Sequence, residues 1–412
     1  PPRSTPSNSS AASDVYKRQS YGAVTSLSNL FNVNSNILNR FQISTISDQT
    51  AGTPFIIQVY ALDVYGNQVE AFDETVDIFD LTGTITPAVS GNFTDGYWSG
   101  EVTITQAQNN NEINVLRSST LIESGLSNKF DVIPNNLDHF VFSSISSPQI
   151  AGNSFSITIT AMDGFGNTTT SFNGTATLSD ITGTINPGVT GSFASGVWTG
   201  SVTITKNQPA DRITVTSGNK TGTSNNFDVN PRSVDHFRIQ TINSPQIAGQ
   251  KFVITITAED QYNNTVTSFN DFVNLSDPTG TITPSSTKNF TSGQVTDSVS
   301  ITKSQQDIRI TASRNTAIGY SNYFNVEPAP LDRFTIANIS TQAAGEPFTI
   351  TVTARDFYNN RVSDFSGTVD ISDLTNTITP MISGNFDAGG WSGSVTITKV
   401  MNNNQISVTR SG

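Results

Sequence analysis

The feature that most restricts how this chain can fold is an internal repeat of about one hundred residues. Ala51-Gly52, Ala151-Gly152, Ala248-Gly249 and Ala344-Gly345 occupy equivalent points, so successive glycines stand 100, 97 and 96 residues apart. Each pair precedes an alternating run: Phe55–Ala61, Phe155–Ala161, Phe252–Ala258 and Phe348–Ala354. Then come Asp63-Val-Tyr-Gly-Asn67, Asp163-Gly-Phe-Gly-Asn167, Asp260-Gln-Tyr-Asn-Asn264 and Asp356-Phe-Tyr-Asn-Asn360. Pro87, Pro187, Pro284 and Pro380 keep the phase, as do the closing runs Phe130-Asp-Val132, Phe227-Asp-Val229 and Phe324-Asn-Val326.

Within a repeat the hydrophobic period is two. In Phe155–Ala161 the apolar side chains share one face, while Ser156, Thr158 and Thr160 share the other. Strands buried on one face and wet on the other are typical of antiparallel sheets. Seven or eight such short runs occur per repeat, separated by Gly, Asn, Pro and Asp clusters, and no capped helical segment is visible. The reading is all-β: tandem immunoglobulin-like antiparallel β-sandwiches arranged as an elongated rod.

The phase also sets boundaries. Residues 1–19 break the pattern; Ser9 to Gln19 resembles the translated adapter sequence seen at the ends of metagenome-assembled proteins. Residues 20–36 read as the last strand of a preceding module, because Ser28-Asn-Leu-Phe31-Asn-Val33 matches Ser321-Asn-Tyr-Phe324-Asn-Val326. Modules then span 37–134, 135–231, 232–328 and 329–412. The last is expected to lack its final strand, so that the protein extends in both directions.

Composition narrows the function. The hydrophobic fraction is 35%, the charged fraction 13% and the net charge −12, a balance that argues against a nucleic-acid partner. No run reaches the roughly 18 apolar residues of a membrane-spanning helix. With no cysteine, neither disulfides nor thiolate metal sites are available.

The Asp-x-Tyr-Gly-Asn turn, placed after an Ala-Gly pair and an Ile-Thr strand, resembles the bacterial immunoglobulin-like repeats of invasin- and intimin-type surface adhesins. The resemblance covers residues 38–412, with Asn263 and Asn359 standing where the turn has glycine in the first two repeats. It implies a surface or secreted protein, extracellular, whose repeats act as stalks, spacers or adhesive tips. Host or matrix glycans or proteins are then partners of regions beyond this sequence.

Candidate chemistry recurs poorly. His139 and His236 stand where the other repeats carry Arg40 and Arg333, so a shared catalytic or metal role does not fit, and no catalytic residue is assigned. Trp98, Trp198 and Trp391, with Val295 in the third repeat, share the parity of core residues, which favours packing over sugar stacking. Asp63, Asp163, Asp260 and Asp356 open one turn; Asp80, Asp180, Asp277 and Asp373 open another. These read as Asx-turns, with calcium ligation as the alternative. A second place for calcium is the junction, where Asp131 and Asp138, or Asp228 and Asp235, bracket a linker. No other cofactor is indicated.

Linkers such as Asn230-Pro231-Arg232-Ser233 and Glu327-Pro328-Ala329-Pro330 are short and proline-restricted, so neighbouring modules are partners of one another. Each module adds roughly 35–40 Å, from about ten residues of strand at about 3.3 Å each. The functional expectation is a non-catalytic structural or adhesive stalk that sets distance. The alternative is an accessory array of a secreted polysaccharide-active enzyme with weak carbohydrate or calcium binding.

Overall fold

The computed structural model describes residues 28–410. The adapter-like stretch 1–19 lies outside the described residues. No helix occurs among them. Four separate hydrophobic cores lie along the chain, centred on residues 41–132, 140–229, 237–326 and 350–408. The chain divides into two compact units, 1–134 and 135–412.

The first unit holds one sandwich. Arg40–Ile43, Phe55–Leu62 and Tyr97–Val102 form one antiparallel sheet, with Phe41 opposite Ala61 and Val59 opposite Trp98. Val76–Asp80, Ile113–Arg117 and Ser124–Leu126 form the facing sheet. Alternation puts Ile57, Val59 and Ala61 inside with Val76, Ile78, Ile113 and Val115. A third small sheet seals the sandwich: the closing strand Phe130–Ile133 lies between Gln108–Asn111, antiparallel, and Gln49–Thr50, parallel.

In the second unit the second repeat reproduces this plan, with His139–Phe142, Phe155–Met162 and Val197–Val202 facing Thr177–Asp180, Ile213–Ser217 and Lys220–Thr223. Its closing strand Phe227–Asn230 again lies between Gln149–Ile150 and Gln208–Asp211. In the third repeat the two main sheets join into seven strands, because Ala317–Tyr320 runs parallel to His236–Ile239. Gly319 permits that approach: a Cβ there would stand 1.9 Å from the carbonyl oxygen of Phe237. The fourth repeat has Leu331–Ile336, Phe348–Asp356 and Gly390–Val395 in one sheet and Val369–Asp373 with Ile406–Arg410 in the other. The third small sheet does not form there among the described residues.

Strand number therefore exceeds the periodicity reading, at nine in each of the first two repeats. The additional elements include two-residue pieces such as Gln49–Thr50, too short to show alternation. Residues 28–36 also depart from expectation: the Phe31-Asn-Val33 segment forms no strand, and Leu30, Phe31 and Val33 are exposed. Each core contains a phenylalanine triad that periodicity does not single out. These are Phe41/72/93, Phe140/172/193, Phe237/269/290 and Phe334/365/386, with ring centroids 4.9 to 6.0 Å apart. Edge-on packing of such rings adds to the stabilisation from area burial.

The second recurring carboxylate closes a loop inside each repeat. Asp80 Oδ1 accepts the backbone N–H groups of Thr84 and Ile85, and Oδ2 accepts from the N–H and hydroxyl of Thr82. Asp180, Asp277 and Asp373 are bonded in the same way. These are the expected Asx-turns. A further donor reaches this carboxylate in two repeats: Asn111 Nδ2 stands 3.1 Å from Asp80 Oδ2, and Asn404 Nδ2 3.0 Å from Asp373 Oδ2.

In the second repeat that position is Asp211, fully buried, with Oδ2 lacking any hydrogen-bond partner. Burial pushes the Asp211 carboxyl up from its ordinary value, and the nearby Asp180 charge pushes in the same direction. Folding thus raises this pKa, so the resulting penalty is absent below the unfolded value and grows as pH rises through it. Asp211→Asn restores the donor found in repeats one and four. It should stabilise the second repeat by about 1–2 kcal/mol at pH 7, and by less at pH 3. Thermal melts at both pH values check this; an equal gain at pH 3 would contradict it.

Candidate functional site

The turn after the long strand of each repeat builds a densely hydrogen-bonded polar site. Its fourth residue must adopt a left-handed backbone, which Gly66 and Gly166 do at φ of 87° and 86°. Asn263 and Asn359 take the same conformation at 60° and 71°, so the turn survives the change of residue. The opening aspartate is fully buried in all four repeats.

In the first unit, Asp63 Oδ1 accepts the N–H groups of Tyr65 and Asn67 at 2.9 and 2.8 Å. Its Oδ2 accepts from Asn67 Nδ2 at 3.0 Å and from the N–H of Asn36, before the first strand, at 2.9 Å. In the second unit Asp163 Oδ2 likewise accepts the N–H of Asn135, Asp260 that of Arg232 and Asp356 that of Ala329. Arg232 and Ala329 are linker residues. The turn aspartate therefore also pins the segment that leads into its own repeat.

Within the second unit the clasp extends to the preceding repeat. Asn264 Nδ2 donates to Asp260 Oδ2 and to the Thr205 carbonyl at 2.9 and 2.8 Å, while Asn264 Oδ1 accepts the Asn207 N–H at 3.0 Å. Asn360 does the same with Asp356, the Thr302 carbonyl and the Ser304 N–H, at 2.8, 2.7 and 2.9 Å. Aromatic contact completes each junction. Tyr262 lies on Gly152 of the preceding repeat, where a Cβ would come within 2.2 Å of its hydroxyl oxygen; Tyr358 lies on Gly249 at 2.1 Å by the same measure. Those glycines belong to the Ala-Gly pairs and hold φ of 72° and 75°. Two motifs about 110 residues apart thus meet as the halves of one joint.

The hydrogen bonds set the charge state. The Asn36 N–H, outweighing burial, holds the Asp63 carboxyl at about 2. Burial pushes Asp163 and Asp260 up, but the Asn167 and Asn264 amides and the surrounding N–H groups together keep both below the ordinary carboxylate range. With folded values depressed, this stabilisation is complete above the unfolded carboxyl value and is lost as pH falls through the folded one.

The other candidates fall elsewhere. Trp98, Trp198 and Trp391 face inward and pack against their cores but remain half-buried. Each lies across the glycine two residues on: a Cβ at Gly100, Gly200 or Gly393 would stand 2.2 Å from the indole. In the third repeat Val295 is buried and Asp297 replaces that glycine. His139 and His236 lie within the first strands rather than beside them. His139 is 3.2 Å from Asp138, and His236 is 3.1 Å from Asp235 and 3.3 Å from the buried Glu259.

The calcium candidates have local partners. Asp131 accepts the Asn110 N–H, Asp228 accepts the Ala210 N–H, Asp138 pairs with Lys220 at 3.0 Å and Asp235 pairs with His236. Among the described residues no three His, Cys, Asp or Glu side chains gather as a metal cage. The clasp was missed because its partners are backbone groups, which leave no mark on residue identity. The recurrence of Asn67, Asn167, Asn264 and Asn360 was the one signal for it.

The fold is that of tandem immunoglobulin-like β-sandwich repeats. No protein-family model and no curated protein matches the chain. Among solved structures it is similar to FdeC, an Escherichia coli adhesin, at 16% identity and TM-score 0.37, covering 72% of this chain and all of that one. It is also similar to invasin, a bacterial integrin-binding protein, at 12% identity and TM-score 0.33, covering 90% of this chain and 76% of that one. Yersinia pseudotuberculosis InvD is similar at 15% identity and TM-score 0.31, covering 69% and 96%. The fold assignment itself rests on the strands and cores described above.

Asn264→Ala removes two bonds across a junction and leaves buried acceptors on Asp260 and Thr205. It should destabilise the second unit by about 1–3 kcal/mol, read as a lowered melting midpoint, whereas an unchanged midpoint would show that the clasp carries no stability. Trp198→Ala should cost the second repeat about 2–4 kcal/mol, somewhat less than a fully buried core aromatic because the ring is half-buried. A variant that melts like the parent would return the tryptophans to ligand stacking.

Proposed function

We propose that these repeats form a non-catalytic spacer, a semi-rigid stalk of an extracellular or cell-surface protein. The observation that carries this reading is the junction clasp at Asn264 and Asn360. A flexible tether needs no side chain committed to the neighbouring repeat. Here a buried amide bonds to one repeat on either side of each joint, and a tyrosine ring fills the space left by a glycine. Hinge motion at such a joint must break three kinds of contact together: the carbonyl bond, the N–H bond and the ring packing. Each is worth about 1 kcal/mol, and the loss falls on groups withdrawn from water.

On the outward faces of the long strands in the second, third and fourth repeats, Thr158 with Thr199, Thr255 with Thr296 and Thr351 with Ser392 form hydroxyl pairs. Such side chains make poor binding hot spots, which favours a stalk over an adhesive tip for these repeats. The tryptophans, turned inward over glycine, give no support to a carbohydrate-binding accessory array.

The chain has no cysteine, so a pair of introduced thiols can be spin-labelled cleanly. Labels at Ser156→Cys and Val253→Cys, both exposed, report on the second and third repeats. Pulsed dipolar spectroscopy should return one narrow distance distribution, broadened by adding Asn264→Ala and Tyr262→Ala. A broad distribution in the parent would sink the spacer reading.

A further inference from the structure

The third repeat presents an aromatic and cationic face at positions where the first two repeats carry other chemistry. Ile308, Ile310 and Ala312 point inward and are fully buried, so Arg309, Thr311 and Ser313 alternate onto the outer face. On the next strand Gly319 approaches the backbone of Phe237, which turns Ile318 and Tyr320 outward. Thr311 stands opposite Tyr320 and Ser313 opposite Ile318. Tyr320 is 51% exposed, and Tyr323, just past the strand, is 61% exposed. The positions of Arg309, Tyr320 and Tyr323 are Glu112, Leu126 and Lys129 in the first repeat, and Arg212, Thr223 and Asn226 in the second.

Arg309 is held in place but has no acceptor. Its guanidinium carbon lies 4.0 Å from the ring centre of Tyr320 and 5.6 Å from that of Tyr323. Stacking on aromatic faces orients the planar group. Yet among the described residues no carboxylate pairs with Arg309 and no carbonyl accepts its N–H groups. Arg314, on the same hairpin, differs: it stacks on Phe272 at 4.2 Å and is also paired with Asp271. The donor fork of Arg309 is therefore preset and open to water. A second cation borders the same face. His236–Ile239 runs parallel to Ala317–Tyr320 with His236 beside Ile318, and two residues on in each strand Arg238 and Tyr320 both turn outward. Arg238 donates through Nε to the buried Glu259 at 2.6 Å, and its side chain remains 58% exposed.

We propose that this face binds an acidic polysaccharide: Arg309 takes a sugar carboxylate in its fork, and Tyr320 and Tyr323 give flat walls to the C–H faces of the pyranose rings. A guanidinium matches a planar carboxylate through two parallel charge-assisted hydrogen bonds. Tyrosine adds apolar contact area at small entropic cost and keeps a hydroxyl for the sugar's own hydroxyls. No tryptophan takes part, since Val295 stands at that position in this repeat. A peptide suits the face less well. Extended peptides are gripped by main-chain bonds at a free strand edge, and Ala317–Tyr320 already has a strand on both sides. Nucleic acid is opposed by the net charge of −12. Such a site goes beyond the spacer reading, giving a stalk one lateral point of attachment without altering its length.

The test uses the 412-residue chain and a short oligogalacturonate as the probe, followed by titration calorimetry. Binding should saturate and weaken as salt is raised. The methyl ester of the same oligosaccharide keeps the sugars and removes the charge. It should bind about 10–100-fold more weakly, the loss expected for hydrogen bonds to a charged group. Arg309→Gln should weaken oligogalacturonate binding by about the same factor, and Tyr320→Ala by about 3–10-fold, with both variants melting close to the parent because both side chains lie at the surface. The ester comparison uses the unaltered chain, so it decides the matter even if a variant misfolds. No saturable binding, equal affinity for the ester, or binding unchanged in a folded Arg309→Gln chain would overturn the proposal. So would polyglutamate binding as tightly as the oligogalacturonate, which would make the face a site for acidic peptides.

Discussion

The structure depends on one arrangement: a carboxylate withdrawn from water whose acceptor capacity is filled almost entirely by neutral donors. Burying a charge is costly unless hydrogen bonds replace its hydration. Asp63, Asp163, Asp260 and Asp356 meet that demand with backbone N–H groups and one asparagine amide, with no cation among those donors. The donors come from the turn, from its terminal asparagine and from the segment that enters the repeat. One anion therefore fixes the end of the longest strand and the approach of the chain to its first strand. In the second unit the asparagine transfers that order to the neighbouring repeat, because its remaining bonding capacity is spent there.

Much of this was legible before any coordinates. The period-two runs placed the long strands, as Phe155–Met162 shows, and their inward residues are the buried ones. The parity of Trp198 with Val202 and Ile204 puts it on the inner face, and Asn263 keeps the left-handed turn where the first two repeats have glycine. What stayed hidden was held by the backbone. The parallel pairing of Gln49–Thr50 with the closing strand involves two residues and no pattern. The glycine beneath each indole and the glycine beneath Tyr262 were visible as letters, but nothing in the sequence says which ring will lie on which glycine. The aspartates drew the calcium reading because identity alone does not distinguish a carboxylate waiting for an ion from one already saturated with amide hydrogens.

The same distinction separates two kinds of site along the chain. Asp80 and its counterparts organise a loop within one repeat, and their extra donor comes and goes: Asn111, Asp211, Ile308 and Asn404 stand at that place. Where it becomes aspartate, an oxygen is left buried and unpaired, which is a local cost confined to one sandwich. The repeat tolerates it because the rest of its core, including the Phe140, Phe172 and Phe193 triad, is intact.

Variation among the four repeats follows the same logic. Trp198 and Val295 exchange because an inward volume can be filled in more than one way, and the change is accompanied by Gly200 giving way to Asp297. Arg40 and His139 exchange because each opens its first strand on the face turned away from the core. The opening aspartate and the terminal asparagine of the turn do not vary in any of the four. An asparagine at that end must donate to a carboxylate and a carbonyl while accepting from an N–H. A hydroxyl offers one hydrogen and cannot make both donations, and a carboxylate offers none. Amide chemistry alone, with this side-chain length, satisfies both sides of the joint, so the residue that links repeats is the one least free to change.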